Sequence, residues 1–341
     1  VKITILYSEL ADYSLACFRA LKEKGTRIQL IHWPVNPEAP FQFDLSFLDE
    51  VVSRDELDNT ALSQSVVAFK PDLILCSGWI DRGYVAVCKR FQKKAVTVLS
   101  LDNHWTGSVK QQLAGLMAPF TIQSAFQKAF VPGEIQCAYA LKLGFASEDI
   151  RTGFYSADVG RFTAYYTEED KPERFLFLGR YVEHKGIFDL WKAYQSYRDE
   201  GGAWELWCAG TGDQFENRME GEGIRHLGFV QPSQLEDVLS ECSAYILPSH
   251  FEPWGVSVHE MAAAGFPMIL SDQIGAKAMF LREGLNGFIF KSGSVDQLKQ
   301  SMHRMSALSD DELKNMSAKS HALGTSHTPE HWVEAILSFL D

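Results

Sequence analysis

Short apolar runs alternate with helix-length segments from the first residue of the chain, and after residue 172 the alternation begins again. Residues 1–7, 27–33, 73–76, 95–99 and 129–131 read as strands, and residues 10–24, stopped by Gly25, as the first helix. Strands that alternate with helices pair in parallel, and both faces of the sheet are then covered. Around residues 154–172 the periodicity fades into a polar and aromatic segment, Tyr165-Tyr166-Thr167-Glu168-Glu169-Asp170-Lys171-Pro172, which reads as a linker. Further strands follow at residues 175–178, 204–208, 224–227, 244–247, 268–270 and 287–290. Residues 294–341 read as helical throughout, with capping signals at Ser294 and Thr328 and a last helix whose apolar face needs a surface to cover. The pattern predicts an α/β protein of two doubly wound, Rossmann-like domains facing a cleft, residues 1–160 and 172–327. Ligands of such sheets bind at the carboxyl ends of the strands.

Composition supports two cores and removes several function classes. A hydrophobic content of 46% over 341 residues supplies apolar surface for two domains, and a net charge of −12 argues against a nucleic-acid footprint. The six cysteines are scattered through apolar segments without the close pairing of metal or thioredoxin motifs, so they read as small core residues. With no signal-peptide pattern at residues 1–7 and no apolar run of bilayer length, a reducing, cytoplasmic setting is expected.

Residues 251–260 carry the chemistry: Phe251-Glu252-Pro253-Trp254-Gly255-Val256-Ser257-Val258-His259-Glu260. They follow the strand at 244–247 and open a helix that ends near Gly265. A helix N-terminus attracts phosphate, while carboxylates accept hydrogen bonds from sugar hydroxyls. Phosphate beside sugar suggests a nucleotide-sugar. Residues 179–186, Gly179-Arg180-Tyr181-Val182-Glu183-His184-Lys185-Gly186, stand between a strand and a helix. Arg180 and Lys185 there put two cations where a diphosphate leaving group could be held. Taken singly, this segment suits a tight turn with two solvated cations better than a binding site. Gly210-Thr211-Gly212 is another strand-to-helix turn, without the third glycine of a dinucleotide fingerprint, and Gly228-Phe229-Val230 is either a base contact or a strand end with a packed Phe229.

In this order and spacing, the motifs at 179–186, 210–212, 228–230 and 248–260 resemble the family 4 glycosyltransferases of GT-B fold, strongly over about residues 174–300. The resemblance implies a retaining hexosyl transfer, without a metal or other cofactor, from a UDP- or GDP-sugar held by the C-terminal domain to a saccharide, lipid-linked or small-molecule acceptor held by the N-terminal domain. It implies that Arg180 and Lys185 bind the donor diphosphate, that Glu252 contacts the transferred sugar, and that Glu260 takes the ribose hydroxyls. Gly179, Gly210 and Gly212 would shape the pocket, the backbone of Trp254, Gly255, Val256 and Ser257 would serve sugar and phosphate, and Val230 would hold the base. It also implies a final helix, 328–341, that crosses back to the N-terminal domain, and same-face attack in which the leaving phosphate takes the acceptor proton.

In the N-terminal half, His104 lies in a strand-end loop, where the resemblance implies a role beside the reacting sugar. Trp79 sits at another strand end and reads as a core residue before a stacking platform. Where many relatives carry a glycine pair after the first strand, this chain has Tyr7-Ser8-Glu9-Leu10-Ala11-Asp12-Tyr13, and Glu9 and Asp12 would repel a phosphate there. A sugar-nucleotide hydrolase or epimerase of the same fold is the alternative activity. A solute receptor would need an export signal, and a nicotinamide dehydrogenase its fingerprint. A lipid-linked acceptor would bring the protein to the inner face of the membrane, a placement to which the acidic balance lends no support.

Overall fold

The computed structural model describes residues 1–36 and 41–341. They form two compact units, one of Val1–Ser156 with Thr328–Asp341 and the other of Ala157–His327. The first is built on β1 (Lys2–Tyr7), β2 (Arg27–His32), β3 (Glu50–Ser53), β4 (Leu73–Ser77), β5 (Val96–Ser100), β6 (Lys128–Val131) and β7 (Ile150–Thr152). These pair in parallel in the order β3-β2-β1-β4-β5-β6-β7. The five predicted strands of this half are present. The two that the sequence pattern did not reveal, β3 and β7, are the sheet's edges. Edge strands need no continuous apolar run, and Glu50 and Val51 of β3 are exposed.

Central strands are buried on both faces, which is why they read as near-continuous apolar runs. Thr4 and Gln29 interrupt that rule on β1 and β2 and answer each other: the Thr4 hydroxyl donates to Gln29 Oε1 at 3.0 Å. Residues 294–341 fold as three helices, Val295–Ser306, Asp310–Gly324 and Pro329–Leu337. The last belongs to the first unit. Its Trp332, Val333 and Ile336, with Phe339 beyond, join the core formed by Phe18, Phe130 and Phe154. Trp332 lies 6.0 Å from Phe18 and 5.8 Å from Phe130, ring centre to ring centre. That core is the surface the apolar face of the helix requires.

The second unit holds β8 (Arg174–Leu178), β9 (Glu205–Ala209), β10 (Ile224–Gly228), β11 (Ala244–Leu247), β12 (Met268–Ser271) and β13 (Gly287–Phe290), in the order β10-β9-β8-β11-β12-β13 and again parallel. All six were predicted. Five cysteines are buried and Cys137 is half-buried, every thiol free. Burial pushes Cys208 and Cys242 up to about 12, so both stay protonated and inert. In each sheet the strand order reverses once, between β1 and β4 and between β8 and β11. Such a reversal leaves a crevice at the strands' carboxyl ends, because the loops leave toward opposite faces.

Candidate active site

In the second unit the loops after β8 and β11 leave from that reversal, and their backbones are locked together. Gly186 has φ +70°, and a Cβ there would fall 2.2 Å from the Pro248 carbonyl oxygen. Only glycine satisfies both demands. Beside it the His250 N–H donates to the His184 carbonyl at 2.8 Å. The loop after β9 joins them: Tyr181 N–H donates to Thr211 O at 2.9 Å and Gln214 N–H to Tyr181 O at 2.9 Å. At Gly210 a Cβ would lie 1.9 Å from Gly179 O. The predicted glycines therefore act chiefly by letting three loops touch.

Lys185 and Glu252, assigned from sequence to different parts of a ligand, form an ion pair with each other. Their side chains are 16% and 15% exposed, so the pair is largely withdrawn from water yet open on one side. The Ser249 hydroxyl reaches the same Glu252 oxygen at 3.4 Å. An ammonium has three donors, so Lys185 can hold Glu252 and a ligand oxygen together. His184 senses the local field: burial first, then the charges of Lys185 and Arg180, hold its imidazole below the usual range. The two predicted cations thus act on one place.

The Glu252 backbone is fixed by the loop after β12, which sequence reasoning missed. Glu252 N–H donates to Gln273 O at 3.2 Å, while Gly275 N–H donates back to Glu252 O at 3.1 Å. Ala276 N–H reaches Trp254 O at 2.9 Å, and a Cβ on Gly275 would stand 2.2 Å from Pro253 O. Gly275, next to a strand-end turn, was the available signal. The Ser271 hydroxyl adds a bond to Ser249 O at 2.5 Å.

The helix Val256–Ala263 begins at Gly255, whose φ of +89° turns the chain and whose missing side chain leaves room for Glu252 Cγ. No side chain caps this terminus, and uncapped helix amides are donors suited to an anion. Tyr245, buried and held neutral by that burial, donates its hydroxyl to Ser257 Oγ at 2.9 Å, and the charges of Glu252 and Glu260 both oppose its ionisation. Both glutamates of the motif therefore lie near one tyrosine hydroxyl. Trp254 is buried, with its ring 6.5 Å from Phe280 and its carbonyl accepting from Ala276 N–H. Val230, half-buried, stands two residues beyond Gly228, whose carbonyl accepts from Gly210 N–H at 2.7 Å.

His259, one position before Glu260, points the other way. Its Nδ1 accepts from Ala157 N–H at 3.0 Å and its Nε2–H donates to Gly324 O at 2.8 Å, with the ring stacked on Phe280 at 4.0 Å. His104 belongs to the first unit, in the loop after β5, where Gln111 Nε2 donates to its carbonyl at 2.7 Å. Trp79, also in the first unit, packs against the core 6.2 Å from the Tyr139 ring.

Two parallel Rossmann-like sheets, with the last helix returned to the first of them, make the GT-B fold. Residues 162–322, just under half of the chain, match the family described as Glycosyl transferases group 1. The chain is similar to the lipopolysaccharide 1,6-galactosyltransferase of Salmonella typhimurium, 23% identical over 258 residues that span 71% of this chain and 68% of that one. In structure it is similar to Anabaena HepE in complex with UDP, with a TM-score of 0.74 and 14% identity over 100% of this chain and 99% of that one. A trehalose-6-phosphate structure from E. coli bound with UDP-2-fluoro glucose gives a TM-score of 0.78 at 10% identity, again over 100% and 99% of the two chains.

Proposed function

We propose that the protein transfers a hexosyl unit from a UDP- or GDP-sugar to a saccharide, lipid-linked or small-molecule acceptor, with retention of the anomeric configuration and without a metal. The observation that carries this is the Lys185–Glu252 pair at the strand-order reversal of the second sheet, in front of an uncapped helix terminus. Arg180 and Lys185 supply the positive charge that a metal would otherwise bring to a departing diphosphate, where charge develops as the sugar leaves. Amides of Val256 and Ser257 complete the anion site. Glu252, held by Lys185 and by the loop after β12, presents its free lone pairs to the transferred sugar, and Glu260 takes the ribose. Gly179, Gly210 and Gly212 let the loops approach the nucleotide, and Val230 offers its backbone to the base. Neither glutamate serves as a general base; the leaving phosphate takes the acceptor proton. His104, on the first unit, serves the acceptor.

UDP-bound and UDP-sugar-bound neighbours of the same fold favour a uridine donor for this chain. A thermal-shift screen of UDP- and GDP-sugars tests the donor assignment, since a ligand at a hundredfold its Kd stabilises by about 2.7 kcal/mol. Absence of a shift with every nucleotide-sugar would sink it. Product released with no acceptor present would point to a hydrolase, and the anomeric proton coupling of a transfer product decides retention.

A further inference from the structure

The helix Val109–Met117 turns its apolar side chains outward. Val109, Leu113, Leu116 and Met117, with Phe120 on the following turn, recur at one-face helical spacing and are 72, 56, 74, 51 and 76% exposed. Ile80 is 78% exposed as well. Among the described Val, Ile, Leu, Met and Phe residues, only the terminal Val1 is otherwise more than half exposed. An amphipathic helix ordinarily points such a stripe at the core. Here the packing is on the other side: Ala114 rests against the core, and Gly115 comes so close to the end of the helix Glu134–Lys142 that a Cβ would lie 3.1 Å from Lys142 O.

Beside the stripe runs a groove of about 460 Å³, its walls formed by Trp79, Val85, Leu113 and Ile122 and by the stems of Arg82 and Lys110. A third cation, Lys142, holds its ammonium 5.8 Å from the centre of the Trp105 ring. In a chain of net charge −12, residues 103–133 contain no aspartate or glutamate. The sequence-wide charge therefore hides a local reversal, apolar in the middle and basic at the margin.

We propose that this face docks on a lipid bilayer whose surface carries anionic headgroups. Leu116 and Phe120 enter the boundary of the acyl region, while Arg82 and Lys110 sit among the headgroups with their stems along the groove. A bilayer fits better than a second copy of the chain. A two-fold contact sets a patch against itself, and the same cations would then face one another. The surface lies in the first unit and uses none of the donor residues, so its failure and that of the proposed activity are distinguishable.

The test is flotation of the full chain with phosphatidylcholine vesicles, with and without phosphatidylglycerol. Wild type should float with the anionic vesicles and stay below with neutral ones, and added salt should weaken the binding. The double variant Leu116→Asp/Phe120→Asp should lose binding at least about tenfold, as apolar insertion and headgroup attraction are both needed. Arg82→Glu/Lys110→Glu should lose it comparably, each variant keeping the wild-type Tm, while Lys185→Ala should float like wild type. Wild type that ignores both vesicles, or binds them regardless of lipid charge, overturns the proposal. So does a dimer in sedimentation equilibrium that Leu116→Asp dissociates, because the face would then be a contact between copies.

Discussion

At the scale of single residues, the ion pair between Lys185 and Glu252 joins two side chains to which the proposed function gives separate roles. Lys185→Ala leaves a nearly dehydrated carboxylate without its cation, and Glu252→Gln keeps the shape while removing the charge. Each should lower kcat/KM by at least about tenfold, the equivalent of one 1.4 kcal/mol interaction, with Lys185→Ala also weakening UDP binding by calorimetry. Normal turnover in both folded variants would remove the pair from the site. His259 makes a separate prediction. Burial, and then His327 with its ring 5.8 Å away, push the His259 imidazole down to about 3. A histidine kept neutral in the fold but able to take a proton when unfolded contributes its full stability above about pH 6.5 and loses it as the pH falls toward 3. Urea unfolding should therefore show a loss between pH 7 and pH 5 that His259→Gln reduces. Equal losses in both proteins would show that His259 does not carry the dependence.

At the scale of elements, the loops of the second unit owe their arrangement to glycine, and substitution separates two causes. Gly186 and Gly25 share a positive φ, +70° and +78°, but a Cβ at Gly186 meets Pro248 O, whereas nothing lies within 4 Å at Gly25. Gly25→Ala should cost about 1 kcal/mol for backbone strain alone. Gly186→Ala should cost more, at least about 2 kcal/mol by thermal unfolding, and should also weaken nucleotide-sugar binding, since the loop must leave Pro248. Comparable effects from the two would mean that the loops do not lean on each other. The sequence displayed these loops because glycines and cations beside strand ends are local signals. The loop after β12 stayed illegible because its work is done by backbone groups: Gln273 O and Gly275 N–H hold Glu252 whatever their side chains. The outward face of Val109–Met117 was missed for another reason, since an apolar stripe at helical spacing looks the same whether it faces a core or solvent.

At the scale of the whole molecule, the first unit is completed by a helix made of the last residues of the chain. Trp332 is 2% exposed among Phe18, Phe130 and Val333. Trp332→Ala should destabilise the first unit by about 3–5 kcal/mol in denaturant unfolding, while the affinity of the second unit for a nucleotide-sugar stays unchanged. Full retention of stability would deny the helix its structural part. By itself the sequence determined eleven of the strands as apolar runs buried on both faces, their parallel pairing through helical crossovers, and the identity of the cationic and acidic motifs, because all of these are written in local spacing. Only the tertiary structure decided that Lys185 lies on Glu252, that three loops meet through missing side chains, and that one basic, apolar face stands out from an acidic chain. Each of these depends on which residues far apart in the chain come within a few ångströms, and local periodicity carries no record of that.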